Sequence, residues 1–198
     1  MTTITLPAQT LRTALASALP CASKDRTLPI LNAVRLVVEV GEFKAMSTDR
    51  FSISRYSAIE HVKAEGEGAI TLAVADTKAL IAAIPKPNRI NRADEVSLTI
   101  EDGKLTVALI GATLTYTGVD GDYPAIERLI PDGDDNTIGR VGLNHSTLKQ
   151  MTDCVKALDA RNSALVFTPG ESNTKPIRLT VEDAPEWTGL IMPMRIVA

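Results

Sequence analysis

The side chains able to do covalent or metal chemistry are few in this 198-residue chain, and they are scattered. The histidines are His61, expected in a loop at a strand end, and His145, expected at the opening of a helix. Neither has a cysteine or carboxylate at metal-ligand spacing. Cys21 and Cys154 lie far apart and form no CxxC, so they read as free thiols in a reducing compartment, the cytoplasm. No GxGxxG, Walker loop or GxSxG occurs. Asp132, Asp134 and Asp135 have the chemistry to hold a divalent ion, but their Asp- and Gly-rich setting reads as a solvated linker. The expectation is a non-enzymatic protein with no cofactor and no metal.

Basic residues give the more informative pattern. Every expected helix carries some: Arg12 on the first, Lys78 on the second with Lys86, Arg89 and Arg92 just past it, and Lys149 and Lys156 on the third with Arg161 after it. Many acids fall instead in expected strands and turns, among them Glu39, Glu42, Glu60, Glu65, Glu67, Glu101, Asp102, Glu182, Asp183 and Glu186; Asp76 and Asp153 are the helical exceptions. Lys plus Arg total 21 against 24 Asp plus Glu, a net charge of −3. A protein that grips DNA by neutralising many phosphates is usually basic. Any contact with nucleic acid must therefore be loose, and made by positive charge sorted onto one surface. Aromatics, at 4%, are too few for base-stacking platforms.

The elements that would position these residues recur in the order βαβββ, three times. In the first unit a strand at 3–6 and a helix at 8–19 precede strands at 34–40, 43–48 and 51–59. The second has a strand at 70–74, a helix at 76–84 and three strands within 96–119. The third has a strand at 140–143, a helix at 144–158, and strands ALVFT, PIRLTV and TGLIMPMRIV. Leu11, Leu15 and Leu19 share one helical face; so do Leu80, Ile81 and Ile84, and Leu148, Met151, Val155 and Leu158. Asn144 is the expected N-cap of the third helix, and Pro20 and Pro85 stop the first two. Val96, Leu98 and Ile100 alternate as in a strand, as do Leu105, Val107 and Leu109, and Asp102-Gly103 between them signals a hairpin; Gly41-Glu42 plays that part in the first unit. The organisation expected is a domain at 1–122 made of two units (about 1–62 and 66–122), a linker at 123–139, and a third unit at 140–198. No apolar run approaches the roughly 18 residues of a membrane span, and MTTITLPAQTLRTAL lacks the basic-then-apolar pattern of a secretory signal.

Several stretches carry a resemblance. TLPIL (27–31), MSTDRFSISR (46–55), DGDYPAIERLIP (120–131) and GLIMPMRIV (189–197) are similar, in this order, to segments of the bacterial sliding clamp, the β subunit of DNA polymerase III. Met-Pro-Met-Arg near the end is the most specific of them, and the likeness covers nearly the whole chain. The sequence departs from the family after Thr-Asp, where Gly-His-Arg-Leu is usual and Arg50-Phe51 stands here.

The resemblance implies an α+β fold of repeated βαβββ units, helices on one face of antiparallel sheets, joined edge to edge into a ring with the helices lining the hole. A ring linked topologically to double-stranded DNA needs little affinity for it. The implied function is to tether a DNA polymerase, and to meet the clamp loader, through short linear motifs. Residue by residue, the likeness places Lys24 and Arg26 on the loop that reaches DNA at the rim, and Arg12, Lys78, Lys149 and Lys156 opposite duplex phosphates. It places Thr48, Arg50, Pro124, Arg128, Leu129, Met192, Pro193, Met194, Arg195 and Ile196 in the pocket for the partner peptide.

Clamps of this family have twice as many units per chain. An isolated third unit leaves a sheet edge and a helix flank uncovered, which predicts self-association. A twofold axis pairing that unit with its copy gives a dimer equal in units to one clamp chain, and two dimers give a homo-tetrameric ring. The alternative is a clamp-like decoy that binds the host clamp or its partners without encircling DNA. The short chain also fits a phage replicon.

Overall fold

A computed structural model describes residues 1–86, 94–130, 141–158, 160, 163–170, 172 and 174–195. Twelve strands in these residues form two antiparallel sheets. One sheet runs in the order β5 (Lys63–Glu65), β1 (Thr2–Pro7), β7 (Glu95–Glu101), β8 (Lys104–Leu109), β9 (Ala112–Thr117). The other runs β10 (Leu165–Thr168), β11 (Ile177–Val181), β12 (Ala184–Ile191), β4 (Ser52–Ala58), β3 (Glu42–Thr48), β2 (Ala33–Glu39), β6 (Gly68–Ala73).

The helices are α1 (Ala8–Ala18), α2 (Val74–Ala83) and α3 (His145–Val155). All three pack on one face of the longer sheet: α1 on β3 and β4, α2 on β2 and β6, α3 on β4 and β12. Leu11 and Leu15 of α1, Leu80 of α2 and Met151 of α3 join Val34, Leu36, Phe43 and Trp187 of the sheet in one core. This is the α+β arrangement expected, with helices on one face of antiparallel sheets.

Local chemistry accounts for the helix ends. The Asn144 side chain accepts a hydrogen bond from the Ser146 amide at 2.8 Å, the N-cap read from sequence. Pro7 precedes α1 and offers no cap; instead the Ala8 amide donates to the Asp94 carbonyl at 2.8 Å. At the other end of α1, Ser47 and Ser54 donate their hydroxyls to the carbonyls of Ala18 (2.5 Å) and Ser17 (2.8 Å). Small hydroxyl residues on β3 and β4 thus let the helix approach and satisfy its orphan acceptors. A 3-10 turn, Leu19–Cys21, with Pro20 inside it, follows.

The strand pairing adds what element order does not show, and several expected element bounds are corrected. The first strands of units one and two are exchanged: β1 pairs with β7, and β6 pairs with β2. The repeat in sequence is therefore not a repeat of separate sheets. The third unit joins the first, β12 pairing with β4 from Trp187–Tyr56 to Ile191–Ser52. The short strand β5 is additional; its charged sequence lacks a two-residue period. The expected strand at 140–143 is only a bridge from Gly142 to Met194, with Arg140 outside the described residues. β12 ends at Ile191 rather than continuing through Met-Pro-Met-Arg, since Pro193 has no N–H to donate to a ladder. In the segment expected as a linker, residues 123–130 are packed on the sheet through a 3-10 turn, Ile126–Leu129. The β2–β3 turn is Val40-Gly41, with Gly41 at φ +74, one residue earlier than expected.

Candidate functional site

The groove begins at the turn between β3 and β4. Asp49 organises it: Oδ1 accepts from the Phe51 amide (3.0 Å), the Ser52 amide (2.8 Å) and the Ser52 hydroxyl (2.8 Å). Thr48 Oγ1 accepts from the Arg50 amide at 3.0 Å and donates to the Ser52 carbonyl at 2.8 Å. These bonds hold Arg50 at φ +80, a left-handed conformation that favours glycine. Glycine is the residue usual at that place in the family the sequence resembles. The turn projects Phe51, which is 64% exposed. From the helix side, Gln150 Nε2 of α3 donates to Asp49 Oδ2 at 3.0 Å.

Other segments meet this turn. As β12 ends, the Met192 amide donates to the Phe51 carbonyl at 3.0 Å. On the sheet face opposite the helices, Ile126 packs on Met46, Ile53 and Leu190, with Tyr123 and Ile130 beside them. The Arg35 guanidinium lies 5.6 Å from the centre of the Tyr123 ring. Leu129 is thereby carried to a small, shallow pocket that it lines with Arg50, Phe51, Ser52, Ile53, Pro176, Leu190 and Met192.

Of the residues expected here, Arg50, Leu129 and Met192 line the pocket. Thr48 lies buried beneath the turn and acts through its hydrogen bonds. Pro124 and Arg128 are exposed on the packed segment next to Leu129. Pro193, Met194 and Arg195 continue from Met192, and the Met194 amide donates to the Gly142 carbonyl at 2.8 Å. Ile196 lies outside the described residues. Phe51, Ser52, Ile53, Pro176 and Leu190 were missed. An aromatic in a polar turn was a readable signal for Phe51; Pro176 arrives from another unit and had none.

The residues expected to meet DNA lie on the helices and on the loop after the first of them. Lys24, Arg26, Lys78, Lys149 and Lys156 are exposed. Lys24 and Arg26 sit in a built loop: Asp25 Oδ1 accepts from the Thr27 amide (2.9 Å) and hydroxyl (2.7 Å), and these bonds lower the carboxyl's pKa. Arg12 is part-buried. Its Nη1 donates to the carbonyls of Ile81 and, at 2.7 Å, Ile84, so it caps the end of α2. Lys149 and Lys156 both bind Asp153, at 2.5 and 2.8 Å. Hydrogen bonds from the two lysines pull the Asp153 carboxyl down to about 2. Arg89, Arg92 and Arg161, and the cluster of Asp132, Asp134 and Asp135, lie outside the described residues. Among the described residues no three His, Cys, Asp or Glu side chains are placed to hold a metal, and no helix is long and apolar enough to cross a membrane. A wider cleft opens at the ends of β4 and β12, lined by Arg55, Tyr56, His61 and Glu186 among others; none of the expected site residues lines it.

This arrangement of two antiparallel sheets and three helices matches the fold of solved DNA sliding clamps. Among clamps, the similarity is to the β subunit of bacterial DNA polymerase III. The chain is 28% identical over 172 residues to the beta sliding clamp of Micrococcus luteus, a match covering 80% of this chain and 50% of that protein. It superposes on a Pseudomonas aeruginosa DNA polymerase sliding clamp solved with a ligand, with TM-score 0.79 and 12% identity over 98% of this chain and 66% of that one. A P. aeruginosa clamp bound to griselimycin matches with TM-score 0.78 and 13% identity, over 98% of this chain and 65% of that one. No family model matches. The chain thus spans about half the length of its curated relative and about two thirds of the solved clamps.

Proposed function

We propose that this chain is a DNA sliding clamp subunit that holds a replicative polymerase on double-stranded DNA through a short peptide seated in the groove. One observation carries the reading. Four segments distant in sequence, 50–53, 129, 176 and 190–192, converge on one pocket, while Lys78, Lys149 and Lys156 are exposed on or just past the helices α2 and α3. An apolar pocket edged by Arg50, with Arg128 exposed next to Leu129, suits a peptide with an apolar anchor and backbone carbonyls to accept from the guanidinium groups. Lys24, Arg26, Lys78, Lys149 and Lys156 face the duplex, and Arg12 supports the helices by fixing α2. No bond is made or broken. The gain is the polymerase's effective concentration at the primer end.

The ring is built from copies of this chain. The outer edges of β9 and β10 have no strand partner among the described residues, and Val166 and Phe167 are exposed on β10. Open edges of this kind favour strand addition, and twofold pairing at each is the route to a tetramer. The setting is cytoplasmic replication, in a phage or other mobile replicon. Nothing observed favours a decoy.

The test is topological. Protein assembled on nicked circular DNA stays with the circle through gel filtration and is released when the circle is linearised. Equal retention on linear and circular DNA overturns the encircling role. Light scattering that shows only monomer at micromolar concentration overturns the tetramer.

A further inference from the structure

We propose that Lys44 and Glu127 are positioning residues for the groove: their ion pair seats the 3-10 turn that presents Arg128 and Leu129, and peptide affinity depends on that seating. The inference rests on reading the groove as a peptide site.

Lys44 stands on the outer face of β3 with its side chain only 10% exposed. Its ammonium lies 2.8 Å from Glu39 Oε2, 3.3 Å from Glu42 Oε2 and 3.3 Å from Glu127 Oε1. Glu39 and Glu42 belong to the same β2–β3 hairpin as the lysine. They compensate its burial but join nothing distant. Glu127 is different, because it comes from the packed segment. The same Oε1 is 3.6 Å from Arg55 Nη1 on β4, so the carboxylate sits between cations on neighbouring strands.

The spacing along the segment gives this pair its consequence. Ile126 is 2% exposed and anchored among Met46, Ile53 and Leu190. Tyr123 and Ile130 pack beside the same cluster on either side of it. Glu127, the next residue, adds the polar tie of the turn, held against the sheet by Lys44 and Arg55. Leu129, two residues on and 53% exposed, is then held at the pocket wall. Lys44 therefore acts on the groove from the far end of the segment, without lining it.

The fold tolerates the test. Glu127→Gln leaves Lys44 with both hairpin carboxylates, so the sheet keeps its compensated charge. Two readouts separate seating from binding. The first is the rate of tryptic cleavage after Arg128, followed by mass spectrometry. The second is anisotropy of a fluorescein-labelled peptide carrying the clamp-binding segment of a bacterial replicative polymerase. Glu127→Gln is expected to raise cleavage about fivefold and weaken the peptide about fivefold, the scale of a partly buried ion pair. Lys44→Arg keeps the charge and retains both wild-type values. Lys63→Met breaks the exposed Lys63–Glu95 pair on the other sheet and changes neither. Wild-type cleavage in Glu127→Gln overturns the seating. Faster cleavage with unchanged affinity overturns the positioning role. If the wild-type protein itself fails to bind the peptide, the reading of the groove falls, and the cleavage rates still decide the seating.

Discussion

The Sγ atoms of Cys21 and Cys154 lie 3.5 Å apart, both side chains wholly buried, joining the turn after α1 to α3. Burial pushes the Cys21 thiol well above its ordinary value, and the neighbouring Cys154 adds to the rise. Cys21 thiolate is therefore scarce in the folded state, and burial shields both sulfurs from a reagent. Treated with a disulfide reagent at pH 8, the native protein should label at least about 100-fold more slowly than the protein in guanidinium. Prompt labelling of both thiols in the native protein would contradict the packing of α3 against α1.

The buried Trp187 indole donates to Ser54 Oγ at 2.9 Å, and that hydroxyl donates to the Ser17 carbonyl. Ser54→Ala strips a donor and an acceptor from this chain together. Leaving both partners unsatisfied is expected to cost about 2 kcal/mol. Denaturation followed by tryptophan emission measures it, since the chain has 1 Trp.

Gly189 admits the same indole. A Cβ there would fall 2.6 Å from Trp187 Cη2 and 2.9 Å from Met151 Sδ. Gly189→Ala should destabilise by about 1–3 kcal/mol through overpacking. Arg50→Gly has the opposite sign. It relieves the left-handed backbone at φ +80 and should add up to about 1 kcal/mol of stability, while removing one guanidinium from the groove lip.

Asp153 sets both the charge and the pH response of α3. Its carboxyl titrates at about 2 in the folded chain against an ordinary 3.8, because Lys149 and Lys156 hydrogen-bond the ionised form. A lowered folded value stabilises above the unfolded value, and the gain is lost as pH falls through about 2. NMR titration of the carboxyl should return toward its ordinary midpoint in Lys149→Met and Lys156→Met. High salt should do the same, as the carboxylate is partly exposed and its lysine partners are on the surface.

The same trio predicts a DNA phenotype. Asp153→Asn frees both lysines and should strengthen duplex binding at low salt by several-fold. Lys149→Gln should weaken binding uniformly across sequences and reduce the salt slope by about 1. Filter binding against salt concentration distinguishes these outcomes.

What the residues revealed in advance was what is local. Leu11 and Leu15 share the buried face of α1, Asn144 caps α3, and Asp102-Gly103 turns a hairpin with positive φ at both residues. Spacing within one element encodes these features. Which strand lies beside which is not encoded in a two-residue period, so the pairing of β1 with β7 was hidden. Arg12 was legible as a basic helix residue, but its bonds to the carbonyls of Ile81 and Ile84 depend on how α1 crosses α2. The groove was half legible. Arg50, Leu129 and Met192 carried a family likeness, whereas Pro176 reaches the pocket only because β11 pairs with β12.

Because β1 is lent in one direction and β6 in the other, the opening repeats are clasped like two hooks. A single cut in the turn around residues 60–62 would not release either of them. The halves should stay mated until denatured and be able to reunite afterwards, so the natural unit for splitting or recombining this polypeptide is the interlocked pair.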